Sequence, residues 1–178
     1  LVPNAGVLQH GAFVDMEPED HQRMVQLNIA GFTELLAHLV PPMVDRGAGR
    51  VLNVASIAAF QPVPALATYA ATKAYVLSLS ESLAEELLDN GVSVTTLCPG
   101  ITDTNMMATA QAESEHLNLP SMLVGDVETV AQEAFDACMK GTTVVVPGAI
   151  NQAGLLTTRA MPKWLVRRLM GLAGRSPL

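Results

Sequence analysis

Arg50-Val51-Leu52-Asn53-Val54-Ala55-Ser56, a loop carrying Pro62 and Pro64, an unbroken run from Thr68 to Asn90, and then Val92-Ser93-Val94-Thr95-Thr96-Leu97-Cys98-Pro99-Gly100 decide the fold class. The two short runs are rich in branched aliphatic residues and end in turn-forming sequence, the pattern of buried strands. Between them, Thr68 to Asn90 contains neither proline nor glycine, Leu79, Leu83 and Leu87 recur at helical spacing, and Asn90-Gly91 makes a stop. A strand, a helix and a strand in that order read as one crossover of a parallel α/β sheet.

The alternation extends both ways. Upstream, Leu1-Val2-Pro3-Asn4-Ala5-Gly6 reads as the end of a strand, and Glu17-Pro18-Glu19-Asp20 starts a mostly helical stretch that runs to about Arg46 and stops at Gly47 and Gly49. Downstream, Ile101 to Gly125 has weak periodicity and reads as an excursion with short helical pieces. Asp126 is placed to N-cap a helix ending before Gly141, and Thr142 to Val146 forms a strand stopped by Pro147-Gly148. The tail, residues 151–178, carries a short basic helix around Trp164, Arg167 and Arg168. With no internal repeat and no low-complexity linker, residues 1–178 are expected to form a single unit.

Composition agrees. Hydrophobic residues make up 49% and charged residues only 15% of 178, the reverse of a disordered chain. Strands covered by helices on both faces account for the apolar excess. A net charge of −7 with ten spread lysines and arginines argues against a nucleic-acid footprint. Cys98 and Cys138 give no disulfide framework, so a reducing cytoplasm is the expected setting. No run reaches the ~18 uncharged apolar residues of a membrane span, and no signal peptide opens the chain. His10, His21, His38 and His116 lack paired ligand spacing, so no metal is expected.

Two positions on the central helix attract attention. Tyr69 and Lys73, four residues apart at ~1.5 Å each, lie on one helical face. A lysine charge about 6 Å away at an effective dielectric of ~20 favours tyrosinate by roughly 3 kcal/mol, about two units of pKa, which would bring Tyr69 toward proton exchange near neutrality. Ser56 stands thirteen residues before Tyr69 at the end of a strand, where α/β folds place their chemistry. Taken alone it is a turn-closing serine; beside Tyr69 its hydroxyl can hold a substrate oxygen. Asn28 is a poor interior helix former and marks either a kink with a local hydrogen bond or an exposed position.

These residues together resemble the short-chain dehydrogenase/reductase family over essentially the whole chain. The matches are Asn4-Ala5-Gly6, Asn28, Asn53-Val54-Ala55-Ser56, Tyr69-Ala70-Ala71-Thr72-Lys73 and Pro99-Gly100-Ile101-Thr102-Asp103-Thr104, in the family's order and spacing. The resemblance implies a Rossmann-like, doubly wound α/β sheet and an NAD(P)-dependent oxidoreductase interconverting an alcohol and a carbonyl, with NADP slightly ahead of NAD. It implies Tyr69 as general acid/base, Lys73 lowering its pKa and holding the nicotinamide ribose, Ser56 polarising the substrate carbonyl, and Asn28 anchoring a relay water. It implies further that Asn4, Ala5 and Gly6 pass the adenosine, and that Pro99, Gly100, Ile101, Thr102 and Thr104, with Thr104 favoured over Thr102, contact the nicotinamide carboxamide. Residues 101–125, holding Met106, Met107, Leu117, Leu119 and Met122, are similar to the family's substrate lid and suit a small apolar carbonyl compound. Homo-oligomerisation through the two long helices of the complete protein is implied as well.

The chain departs from the family in two places. Pro3 stands where another asparagine is frequent, and no glycine-rich pyrophosphate loop of either spacing occurs. The chain starts at Leu1 in what reads as the fourth strand, so the expectation is a C-terminal part of the fold whose first strands lie elsewhere, one that by itself binds dinucleotide poorly and aggregates. A non-catalytic binding or scaffold protein is the rival from another class. An extended-branch epimerase or dehydratase is a second enzyme reading, which the Asn4-Ala5-Gly6 motif and short C-terminal region fit less well.

Overall fold

The computed structural model describes residues 1–102 and 124–173. Strands β1 (Gly49–Val54), β2 (Val92–Leu97) and β3 (Val144–Val145) form a parallel sheet in the order β1-β2-β3. The register runs from Gly49 opposite Val92 to Val54 opposite Leu97, with Thr96 opposite Val144 beyond. On the free edge of β1, Leu1 donates its amino group to the Arg50 carbonyl at 2.8 Å and accepts from the Leu52 amide at 2.9 Å. That pairing is the whole of the expected first strand; residues 1–6 form no strand of their own.

The first helical stretch comprises α1 (Pro18–Val25), a π-helical segment (Gln26–Gly31), α2 (Phe32–Leu39) and α3 (Pro41–Asp45). Its inward face carries Phe32, Leu36, Val40 and Met43, packed with Val51, Val76, Leu77, Val92 and Val94 into the main core. Its outward face leaves Val25, Leu27, Leu35 and Leu39 exposed. Apolar on both sides, this 28-residue stretch is long and apolar enough by length and composition to cross a membrane, with a mean hydropathy of 1.2 in its most apolar part. Glu34 interrupts its apolar sequence, so it holds no uncharged run of about 18 residues. Its inward side chains are those of a core helix.

Helix α4 (Ala67–Glu86) crosses behind β1 and β2 and ends four residues before the expected stop. From Leu87 the chain leaves the helix by tight turns, with Leu88 bonding back to Glu85 and Asn90 to Leu87, three residues each. Gly91 has φ +70°, and a Cβ there would lie 2.1 Å from the Gly47 carbonyl oxygen. Gly91→Ala is therefore expected to destabilise the protein by about 2–3 kcal/mol, seen as a lower urea midpoint at unchanged m-value.

Helix α5 (Val127–Lys140) starts where Asp126 caps it, its carboxylate accepting from the Thr129 amide and hydroxyl at 2.8 Å each. Those two bonds hold the Asp126 carboxyl below its ordinary pKa. The helix ends at Gly141, in the left-handed conformation, as the sequence predicts. Two expectations about the C-terminal region need correction. The strand after α5 is two residues rather than five, and a helix unforeseen in the sequence, α6 (Ala149–Ala160), precedes the expected basic helix α7 (Lys163–Ala173). Alternation along α6 is obscured because only Asn151 and Leu155 of its described side chains are even half-buried.

Candidate active site

The site gathers where β1 and β2 end. β1 runs through Ala55 into Ser56, whose hydroxyl accepts from the Ala58 amide at 3.1 Å and starts the 3-10 turn Ile57–Phe60. β2 runs through Cys98 into Pro99, and the Ile57 amide donates to the Pro99 carbonyl at 3.0 Å, so the two strand ends are tied together. α4 presents Tyr69 and Lys73 to this point, both buried.

Tyr69 lies in a second apolar cluster with Met24, Ala58 and Ala70, closed by Val7, Leu8, Met16, Val63 and Leu66. The Ser56 hydroxyl lies beside its phenol, near enough to favour the phenolate. Lys73 Nζ sits 5.7 Å from the centre of the Tyr69 ring and donates to the Val54 carbonyl at 2.9 Å. Burial pushes the Tyr69 phenol above its ordinary pKa, and the neighbouring Ser56 hydroxyl offsets only part of that. The Lys73 ammonium is brought from 10.5 down to about 8 by burial, opposed by the charge interaction with buried Cys98. The expectation of a tyrosine pKa lowered by Lys73 is thus corrected for the chain with nothing bound. Taking the phenol out of water costs its charged form more than a neighbouring cation returns.

Asn28 is buried inside the π-helical segment, where the helix widens to admit an extra residue per turn. Its amide forms a two-way pair with the Val7 backbone, Nδ2 donating to the carbonyl and Oδ1 accepting from the amide, both at 2.9 Å. Nδ2 also donates to the Thr72 hydroxyl at 3.1 Å, which in turn donates to the Tyr69 carbonyl at 2.8 Å. Thr72 was not among the candidate site residues, yet it links the asparagine to the tyrosine's own backbone. Its signal was a small polar residue on the buried face of an otherwise apolar helix, one turn from Tyr69.

Gly6 comes close to this group: a Cβ on it would lie 3.3 Å from Asn28 Oδ1 and 3.6 Å from Lys73 Nζ. Any side chain there would fill the space beside the ammonium. Asn4 and Ala5 are exposed just outside. Pro99, Gly100, Ile101 and Thr102 are half-buried at the end of β2, with the Thr102 hydroxyl turned back to the Gly100 carbonyl at 3.3 Å. Thr102 bridges Gly125, so both ends of the excursion meet at this edge. Thr104 and the proposed lid residues Met106, Met107, Leu117, Leu119 and Met122 lie outside the described residues. The structure thus brings together Gly6, Asn28, Ser56, Tyr69, Lys73 and Pro99. Among the described residues no cluster of His, Cys, Asp or Glu has the makings of a metal site. A cavity of about 260 Å³ lies at the other end of the strands, by Arg50, Gly91 and Lys140, away from these groups.

Such an arrangement can deliver a proton from a buried phenol to an oxygen held by a serine, beside a cation. Residues 1–115 match the family model described as short chain dehydrogenase. The chain is 38% identical over 110 residues to the probable oxidoreductase EphD of Mycobacterium bovis, covering 61% of this chain and 19% of that protein. It is 29% identical over 153 residues to the ketoacyl reductase HetN of a Nostoc species, covering 85% of this chain and 51% of that protein. A short-chain dehydrogenase from Sphingobium yanoikuyae, solved in complex with NADPH, superposes with a TM-score of 0.76 at 29% identity over 92% of this chain and 65% of its own. The chain therefore spans about a fifth to about half of the length of these curated relatives. With a family match over 115 of its 178 residues and the parallel α/β fold, the chain belongs to the short-chain dehydrogenase/reductase family.

Proposed function

We propose that this chain carries the catalytic machinery of an NAD(P)-dependent oxidoreductase that interconverts a small alcohol and its carbonyl compound. The observation that carries this reading is the convergence of Ser56, the buried Tyr69 phenol and the Lys73 ammonium, which sits 5.7 Å from the centre of the tyrosine ring. A nicotinamide, when bound, supplies or accepts the hydride. The residues present fit such a group: the ammonium has donors beyond the one given to Val54, Gly6 keeps the adjoining space clear, and Asn4 and Ala5 are open. Lys73, Gly6 and the Pro99–Thr102 turn would hold it, with Thr104 continuing that turn.

Ser56 then orients the substrate oxygen, and Tyr69 donates the proton as that oxygen gains charge. Because burial keeps the phenol protonated, Tyr69 is in the form that reduction requires. Asn28 acts first as a tie, since both its side-chain donors are engaged by Val7 and Thr72, and a relay water would reach it at an acceptor, Oδ1 or the backbone carbonyl. The NADPH complex of the Sphingobium yanoikuyae relative supports NADP as the cofactor. The test is to mix the protein that carries this chain with NADPH and a panel of apolar ketones and follow the nicotinamide absorbance. Turnover with alcohol formation supports the reading. A dinucleotide titration showing no binding would replace it with the non-catalytic scaffold.

We also propose a homo-oligomer joined through the outer faces of α2 and α4, where Leu35, Leu39 and Tyr75 are exposed and the Thr33 and Tyr75 hydroxyls are bonded at 2.9 Å. Leu35→Glu is expected to lower the mass measured by light scattering to that of a smaller species. An unchanged mass would place the interface elsewhere. Cys98 and Cys138, both buried and neither in a disulfide, fit the reducing cytoplasm proposed as its location.

A further inference from the structure

Charge is distributed very unevenly along the chain. No aspartate or glutamate follows Asp136, and six of the ten basic residues, Lys140, Arg159, Lys163, Arg167, Arg168 and Arg175, stand in the segment after it. The preceding residues hold the other four against all 17 acidic ones. A chain of net charge −7 therefore ends in a purely cationic segment.

That segment is also poorly packed. On α6, Ile150 and Leu156 are exposed, Leu156 by 68%. Among the described side chains of α7 only Val166 is buried; Trp164 is 58% exposed and Leu169 nearly half. At 100° per residue, Trp164, Arg167 and Arg168 share the side of α7 opposite Val166. Cations, a tryptophan and aliphatic side chains thus occur together on exposed helix surface. An acidic protein partner would satisfy the arginines and would need a matching groove for Trp164 and Leu169. The interface of an anionic bilayer accepts both at once, apolar side chains at the acyl boundary and cations among the phosphates.

We propose that α6 and α7 form a peripheral docking surface for an anionic lipid bilayer. The tail is rooted at the site: Asn151, in the first turn of α6, donates to the Pro147 carbonyl at 2.8 Å, and a Cβ on Gly100 would lie 2.5 Å from its Nδ2. Docking therefore brings the strand ends that carry Ser56 and Pro99 close to the membrane, which suits an apolar carbonyl substrate under the function proposed above. The docking itself does not depend on that activity.

Trp164 is the chain's single tryptophan, so its fluorescence reports directly on the surface. The protein is mixed with vesicles of phosphatidylcholine alone or with about 30% phosphatidylserine, at about 0.1 M salt, and binding is read by co-sedimentation and emission wavelength. The expected result is binding to the anionic vesicles with a blue shift, reversed by high salt. Arg167→Gln with Arg168→Gln should weaken it about 30-fold, both positions being exposed and their replacement leaving the fold intact. A circular-dichroism melt of the double variant checks that it folds. Equal binding to both vesicle types, no binding to either, or unchanged affinity in the folded double variant overturns the proposal. So does concentration-dependent self-association through Trp164 that vesicles do not displace, which would make a second copy the occupant.

Discussion

Replacing Tyr69 by Phe is expected to lower kcat for carbonyl reduction about 1,000-fold while dinucleotide affinity and thermal stability are kept. The phenol lies beside Ser56, and burial holds it in its protonated form. In reduction, the substrate oxygen gains negative charge as hydride arrives, and the barrier falls only if a proton is ready within hydrogen-bond reach. Phe keeps the ring packed against Met24, Ala58 and Ala70 but removes the proton. Ser56 would remain as a single donor to the developing oxyanion, and its separate removal in Ser56→Ala is expected to cost about 100-fold or more. The raised pKa has an optical counterpart. In a Tyr75→Phe background, where Tyr69 is the remaining tyrosine, phenolate absorbance should appear only above pH 10 in the absence of cofactor. Turnover of Tyr69→Phe within tenfold of the parent would remove Tyr69 from the proton-transfer role.

The local rules that made the fold legible are those that do not depend on neighbours. β1 and β2 are legible because a strand packed between helices is a short run rich in branched residues that ends in a turn, and Asp126 and Gly141 bracket α5 because capping chemistry is local. Helix α6 was missed for the converse reason. A helix that buries almost nothing has no periodic apolar face to read. At the site, the motif positions Ser56, Tyr69 and Lys73 could be named from the sequence, and the structure places them in contact range. The sign of the Tyr69 pKa could not, because it depends on desolvation by residues as distant in sequence as Val7 and Met24. The Asn28–Thr72–Tyr69 link was likewise hidden, since it needs two helices to be brought together across 44 residues.

Lys73→Met should abolish activity and, unlike most losses at a functional site, stabilise the protein near neutral pH. The folded chain loses the Lys73 proton at about 8 and the unfolded chain at the ordinary 10.5, so between those values the unfolded state holds more protons. Stability then rises with pH across that window, and below pH 8 the full penalty of burying the ammonium applies, about 3 kcal/mol. Methionine fills similar space without charge. It gives up the hydrogen bond to Val54, worth about 1.5–3 kcal/mol, and leaves that carbonyl without this donor. The net gain at pH 7 is expected to be about 1 kcal/mol, vanishing near pH 9 and turning into a small loss by pH 10. The comparison stops at pH 10 because Tyr69 works in the opposite sense above it, the folded state there holding its phenolic proton longer than the unfolded one. Urea melts of parent and variant at pH 7 and pH 10 measure the difference, in which other titrating groups largely cancel. A parent whose stability does not climb relative to Lys73→Met between those values would mean that the ammonium is solvated in the folded chain. Retention of a buried ammonium against this cost is what a residue kept for its charge requires. Removing it leaves Tyr69 and Ser56 in place but takes away the cation beside the reacting oxygen, so kcat should fall at least about 100-fold even as the melt improves.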